Sequence, residues 1–462
     1  MHSIISNYQV QSLVEMPMSK KVYCLVGTGS RSFMYIDALF GPYKDWGILK
    51  GICDTNRKRM EYVTKYVSEQ YGVDDLHSYS PDEFEKMIEK EGADSIIIAS
   101  IDRTHHHYIV RAMKAGCDVI CEKPLTIDCE KAEEIFAISE ETQRSLQVTF
   151  NYRYAPRNSQ VKRILQDHTI GDVTSIHFEW LLDTKHGADY FRRWHRDKRN
   201  SGGLMVHKAT HHFDLINWWI DSIPEQVYAH GDLVFYGREN AERRGVTNFY
   251  TRGTDSHVND PFALNLNADE RSRELYLWAE SEDGYHRDQS VFSDGISIED
   301  DMAVIVSYRN KVRMSYHLTA YSPWEGFRVY FNGTKGRLEY EVVEKAYISG
   351  QENDPNRLDV RQKEEFELKE DVRIRVRPHW SEPYDVPAEI VNEGGHGGGD
   401  DRLLRDVFVG AGDDPLGRAA SHIDGGYSIL TGIAANESMR RNLPIRIKDM
   451  IRDYTVLSRV LG

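Results

Sequence analysis

Cysteine is scarce in this chain: Cys24, Cys53, Cys117, Cys121 and Cys129 are the five copies, all in the first third, and no two form a C-x-x-C pair. An odd count without paired spacing excludes a disulfide framework and points to a reducing, cytoplasmic setting. Long hydrophobic runs are absent as well. Nothing approaches the roughly 18 apolar residues that span a bilayer, and the opening segment lacks the basic start and apolar core of a secretory signal. Positive charge is short: 58 Lys and Arg against 73 Asp and Glu leave a net charge of -15, with no dense basic patch, which excludes a general nucleic-acid binder. A small ligand is expected instead.

At 462 residues the chain is too long for one ordinary core, and its 40% hydrophobic content suits two globular domains. Residues 1–19 read as a polar tail. From Lys20 to about 150, apolar runs such as KVYCLV, ILKGIC, SIII and DVIC alternate with helical patterns, which predicts a doubly wound parallel sheet, an α/β Rossmann domain. From 151 to 462 the strands lengthen and alternate apolar with polar residues, as in VTSIHFEWLL and KVRMSYHLTA, which predicts an α+β domain with antiparallel strands buried on one face. NGTKG marks a turn between two of them. Residues 231–296 show no period and read as an insertion, and two helices close the chain.

The first strand runs into GTGSRS. Gly27 permits a tight turn, Gly29 lets a phosphate approach the backbone, and Ser30 and Arg31 open a helix whose first amides face an anion. Asp54 ends the next strand 25 residues after Gly29, where a carboxylate would bind the adenosine ribose and favour NAD. Arg57 stands close enough to accept the 2′-phosphate of NADP, so that cofactor stays open.

The stretch LMVHKATHHFDLINWW reads as one amphipathic helix. At about 100° per residue, His207, His211 and Asp214 share an arc opposite the stripe of Val206, Ala209, Phe213, Ile216 and Ile220, with Lys208 and His212 lining the same cleft. An imidazole with an ordinary pKa of about 6.5 suits reversible proton transfer. His207 and His211 also have the spacing of a zinc pair, but two ligands are too few and no further cluster completes the set, so no metal is predicted. Tyr190 and Trp194 in DYFRRWH are candidates for stacking on a sugar ring, and His396, among the glycines of GGHGGGD, for the substrate pocket.

SIDRTHHHYIVRAMKAGCDVICEKPL, followed by NYRYAP, SGGLMVHKATHHFD and NGTKGRLE, resembles the Gfo/Idh/MocA family of glucose-fructose oxidoreductases and inositol dehydrogenases over nearly the whole chain from Lys20. The resemblance implies a Rossmann domain and a second domain with an open, mostly antiparallel sheet whose exposed face joins a homodimer or homotetramer. It implies an NAD(P)-dependent oxidoreductase acting on a secondary hydroxyl of a sugar, cyclitol or glycoside. Lys123 of the EKP turn then matches the lysine that meets both substrate hydroxyl and nicotinamide ribose, with Glu122 beside it, and His211 matches the catalytic histidine. Ser100, His105 and Asn151 fall on the cofactor side, Arg153 on the substrate side. His207 stands where the family often has aspartate, which removes the carboxylate expected to orient His211. Two other readings are a redox-neutral, NAD-dependent glycoside hydrolase, which GGHGGGD resembles in part, and a non-catalytic dinucleotide-binding regulator.

Overall fold

The computed structural model describes residues 19–255, 260–348, 371–391 and 395–452. All but the last residue of the expected tail lies outside the described residues. The first sheet contains β1 (Lys21–Val26), β2 (Gly47–Cys53), β3 (His77–Tyr79), β4 (Ser95–Ile98), β5 (Asp118–Cys121) and β6 (Leu146–Val148), ordered β6-β5-β4-β1-β2-β3 and parallel throughout. All four residues of β4, Ser-Ile-Ile-Ile, are buried, as befits a strand covered on both faces by helices.

The second sheet has nine strands: β7 (Val173–Asp183), β8 (Pro224–Asp232), β9 (Asp301–Tyr308), β10 (Arg313–Ser322), β11 (Glu325–Gly333), β12 (Gly336–Lys345), β13 (Asp371–Pro378), β14 (Tyr384–Val386) and, past a two-residue β15 (Ala420–Ser421), β16 (Ile445–Arg446). It is antiparallel except where β7 and β10 run parallel. The period-two burial of β9 and β10 turns one face toward the helices Thr210–Trp219 and His422–Arg441, where Phe213 meets Tyr316 and Trp219 meets Phe331. NGTKG turns β11 into β12 as expected.

The two domains do not separate cleanly. β15 pairs antiparallel with β6 and so extends the first sheet with a strand from the end of the chain. The insertion between β8 and β9 also crosses over: Leu264, Leu266, Leu275 and Tyr276 are buried with Leu25, Phe33, Ile52 and Val63 of the first domain. Sequence placed this segment in the second domain because chain connectivity says nothing about where it folds back. Among the described residues no helix is long and apolar enough to cross a membrane.

The histidine stretch is not one helix. Gly202 and Gly203, both at positive φ, start a short turn Leu204–His207, the chain breaks at Lys208 and Ala209, and a second helix runs Thr210–Trp219. Every residue from Leu204 to Trp219 except Asn217 is buried, so the expected polar face toward a cleft is replaced by groups diverging into separate buried environments.

Candidate active site

The carboxyl ends of β1, β4 and β5 converge, and each continues into a loop of the site. After β1, Gly27 has φ +90°, and a Cβ there would lie 2.6 Å from the Ala99 backbone, so only glycine lets the loop pass β4. Ser32 Oγ donates to Gly29 O at 2.7 Å and closes the turn before the helix Phe33–Phe40. Asp54 Oδ2 accepts from Thr28 N at 2.6 Å and Thr28 Oγ1 at 2.8 Å, and its Oδ1 from Asn56 N at 2.8 Å, so the carboxylate braces the loop. Arg57 lies beside Glu61 at 3.6 Å and Glu282 of the insertion at 3.7 Å.

After β5, Glu122 is buried and accepts from Arg31 Nε at 2.5 Å and Tyr35 OH at 2.7 Å. Lys123 Nζ reaches His207 O at 3.2 Å and lies 3.4 Å from His207 Nε2. The other nitrogen of that ring, Nδ1, lies 2.5 Å from Oδ2 of Asp102, in the turn after β4. A carboxylate is thus present where sequence found it missing, but it comes from the first domain and orients His207, not His211. Burial brings the Lys123 amine down to about 8 against the pull of Asp102. Burial pushes Asp102 up, opposed by Lys123 and Arg193, and together with Lys123 and His195 it keeps His207 well below the usual imidazole range. Burial thus favours the neutral form of all three groups, and the mutual attraction of Asp102 and Lys123 opposes it for that pair.

His195 packs 4.1 Å from the His207 ring and 3.6 Å from Trp194, while Tyr190 stands 5.6 Å and Trp194 5.9 Å from His207. On the other side, His211 lies 4.9 Å from Tyr152 and 6.3 Å from His396, and its buried Nδ1 has no partner among the described residues. Burial, then Lys123 and Lys208, lower its pKa well below the usual range. His396 has φ +53°, and Gly397 after it φ +65°, where a Cβ would fall 1.7 Å from Arg157 Nη1. That bend brings His396 Nδ1 to 3.1 Å from Asp400 Oδ2 and 2.9 Å from Asn151 Nδ2, which also donates to Asp400 Oδ1 at 2.6 Å. Lys208 lies over the Trp180 ring at 5.2 Å and the Tyr152 ring at 5.9 Å.

Three expected site residues serve the fold. Arg153 is 2% exposed, and its Nε and Nη2 donate to Asp214 at 2.8 and 2.6 Å, with Asp424 at 3.0 Å, so its charge is taken inside the protein and not offered to a substrate. His212 stacks 3.8 Å from Trp180 and pairs with Tyr316 OH at 2.6 Å; the break before Thr210 turns it into the core beneath the sheet. His105, 1% exposed, sits between Pro124 O at 2.8 Å and Ser100 O at 3.1 Å, a clasp holding the Lys123 turn to the β4 loop, while Ser100 Oγ meets Thr104 Oγ1 at 2.8 Å. Sequence reading missed Asp102 and His195. The first had a signal: it follows a parallel strand at the carboxyl edge where ligands of such sheets bind.

Among the described residues no three His, Cys, Asp or Glu side chains gather in a way that holds a metal ion. A dinucleotide fits better. Beyond Gly29 the next atom that a Cβ would meet is the Tyr276 hydroxyl at 3.8 Å, the Ser30 amide opens the helix, and two buried polar atoms near the loops, Asn151 Oδ1 and Arg287 Nη1, have no partner.

Comparison with known proteins agrees. Residues 21–150 match the oxidoreductase family model described as an NAD-binding Rossmann fold, and residues 162–447 match the same family's C-terminal alpha/beta domain. The chain belongs to the Gfo/Idh/MocA oxidoreductase family. It is 33% identical to the putative oxidoreductase YteT of Bacillus subtilis over 95% of this chain and 100% of that protein. It is 28% identical to an inositol 2-dehydrogenase of Rhizobium meliloti over 29% of this chain and 39% of that protein. The fold matches the WlbA dehydrogenase of Bordetella pertussis, solved with NADH and UDP-GlcNAcA, with a TM-score of 0.59 at 17% identity over 93% of this chain and 99% of that one.

Proposed function

We propose that this protein is an NAD-dependent dehydrogenase that oxidises a secondary hydroxyl of a sugar or cyclitol, with Lys123 and His207 at the reacting hydroxyl. The observation that carries the reading is the chain Asp102–His207–Lys123 at the carboxyl edge of the sheet, linked by contacts of 2.5 and 3.4 Å. NAD, when bound, supplies the nicotinamide that accepts a hydride. The remaining tasks fall to side chains. Asp102 accepts from Nδ1–H of His207, which fixes the tautomer with its lone pair on Nε2. Nε2 takes the hydroxyl proton as the carbinol carbon loses hydride, and the Lys123 ammonium stabilises the developing alkoxide. Alcohol thereby becomes ketone, with one hydride and one proton accounted for. Trp194, beside His195, offers a face for a sugar ring. His211, hydrogen-bonded to nothing at Nδ1, is assigned to substrate orientation along with His396 and Lys208.

Relatives named as inositol 2-dehydrogenases support the substrate class. The test is incubation of the purified protein with a panel of cyclitols, aldoses and aryl glycosides, with and without NAD, following absorbance of reduced cofactor and release of aglycone. Net reduction of NAD is expected. Aglycone release without net reduction would replace this reading by redox-neutral hydrolysis. Dinucleotide binding without either signal on any substrate would replace it by a regulatory role.

A further inference from the structure

The insertion brings a hydroxyl, Tyr276, and one guanidinium, Arg287, to the glycine loop, where Arg192 and Arg193 of the preceding helix region join them. Tyr276, 6% exposed, holds its hydroxyl 3.0 Å from Ser30 N and 2.6 Å from Ser30 Oγ. The amide that opens the loop helix, the group an anion would use, therefore donates to a neutral oxygen. Charges around that oxygen do not balance. Asp189 is approached by Arg193 at 2.8 Å, Arg192 at 3.5 Å and Arg287 at 3.8 Å. Three guanidiniums on one carboxylate leave two positive charges. Of the insertion's nearby carboxylates, Asp283 pairs with Arg59 at 2.7 Å, while Asp288 and Glu280 share the single guanidinium of Arg252.

Arg287 is 2% exposed, its Nε and Nη1 have no partner among the described residues, and its guanidinium lies 4.7 Å from the centre of the Tyr276 ring. A buried guanidinium with idle donors is unfavourable unless an anion completes the site. Burial alone would raise the Tyr276 phenol, yet Arg287 and Arg193, with the Ser30 bonds, bring it below its ordinary value, so the phenol senses the same excess.

We propose that Tyr276, Arg287 and Arg193 form a cap over the diphosphate of the dinucleotide, contributed by the second domain. A phosphate oxygen takes the position at the Ser30 amide, Tyr276 O–H turns to donate to it, and the idle donors of Arg287 complete the charge. A diphosphate supplies negative charge to the three guanidiniums that share Asp189. The cap is anchored at its back: Asn56 Nδ2 donates to Ala279 O at 2.9 Å, Lys58 Nζ to Trp278 O at 3.0 Å, and Arg59 Nε to Leu275 O at 3.2 Å. Because release requires these contacts to open, the dinucleotide leaves slowly. The inference rests on dinucleotide binding by the first domain and not on the dehydrogenase chemistry proposed above.

The test is titration of the full-length protein with NADH, ADP-ribose and adenosine by calorimetry or fluorescence. Arg287→Met is expected to weaken NADH and ADP-ribose by about 10- to 100-fold, in line with loss of a hydrogen bond to a charged group, and to leave adenosine unchanged. Arg287→Lys recovers part of the loss. Tyr276→Phe weakens both diphosphate ligands by roughly 2- to 10-fold. Without ligand, Arg287→Met melts no lower than the parent, because it removes an uncompensated charge, while the rise in melting temperature on adding ADP-ribose shrinks. The proposal is overturned if Arg287→Met binds ADP-ribose like the parent or loses adenosine by the same factor, or if Tyr276→Phe binds more tightly, which would make the hydroxyl a plug. It is equally overturned if the variant only raises KM for an anionic sugar, which would give the cluster to the substrate.

Discussion

Arg153→Met separates a structural guanidinium from a substrate-binding one. Methionine fills much of the side chain's volume but leaves Asp214, whose side chain is 1% exposed, without the bidentate partner that now meets both its oxygens. Removing one member of a buried pair costs about 3–5 kcal/mol. For the 286 residues of 162–447, an unfolding entropy of about 2.1 cal/mol/K per residue comes to about 0.6 kcal/mol/K, so the melting temperature should fall by about 5–8 K. The sign of the pH dependence is fixed as well. Burial already lifts the Asp214 carboxyl to about 6 against the pull of Arg153, and losing that guanidinium lifts it further. Since the unfolded carboxyl titrates near about 4, parent and variant both hold a folded-state proton up to about 6, and the variant's deficit relative to the parent widens as pH rises from about 6 through its higher folded value. Thermal unfolding of parent and variant at several pH values, with the double variant Arg153→Met/Asp214→Leu as the control expected to recover most of the loss, measures this directly. Parent-like melting of Arg153→Met combined with a raised KM would refute the structural assignment and return Arg153 to the substrate.

Three further outcomes follow from the site. Asp102→Asn should lower turnover by about 10²- to 10⁴-fold while NADH still binds, and because Asp102 supports the Lys123 charge, the alkaline limb of kcat/KM should move below about 8; an unchanged pH profile would remove Asp102 from the relay. Lys123→Ala and His207→Ala should each cost at least about a hundredfold in turnover, with His211→Ala costing less than His207→Ala; the reverse order would make His211 the base. Burial pushes the thiols of Cys24 and Cys53 up to about 12 and that of Cys117 to about 11, so alkylation at pH 8 should label none of these three in the folded protein and all of them in denaturant; labelling before unfolding would contradict their burial.

Local pattern carried the first domain. The runs ending at Val26, Ile98 and Cys121 needed only hydrophobicity and the glycine turn to be placed, and the two-residue period of β9 and β10 was equally plain. The histidine stretch misled because its period was read as one helix. Gly202 and Gly203 at positive φ begin it as a separate turn, and the break at Lys208 and Ala209 rotates Asp214 toward Arg153 and His212 toward Trp180. Sequence periodicity reports which side of an unbroken helix a residue occupies, and it loses that meaning at a break.

Long-range pairings were beyond reach for a different reason. Tyr276 and Ser30 are separated by 246 positions, and the apolar residues that dock the insertion, Leu264, Leu266 and Leu275, stand in a polar stretch with no helical or strand period to announce them. The same holds for Asp102 and His207, 105 positions apart. With a histidine at 207 in place of the family's aspartate, the carboxylate at this position comes from the first domain, as Asp102, while the imidazole stays in the second. A relay built across the domain boundary requires the two domains to stay registered, and the insertion that bonds Asn56, Lys58 and Arg59 from the far side of the cleft supplies a reason for them to do so. The residue at 207 and the extra segment between β8 and β9 therefore meet at one boundary: the contact of His207 with Asp102 spans it, and the insertion's bonds to Asn56, Lys58 and Arg59 tie its two sides together.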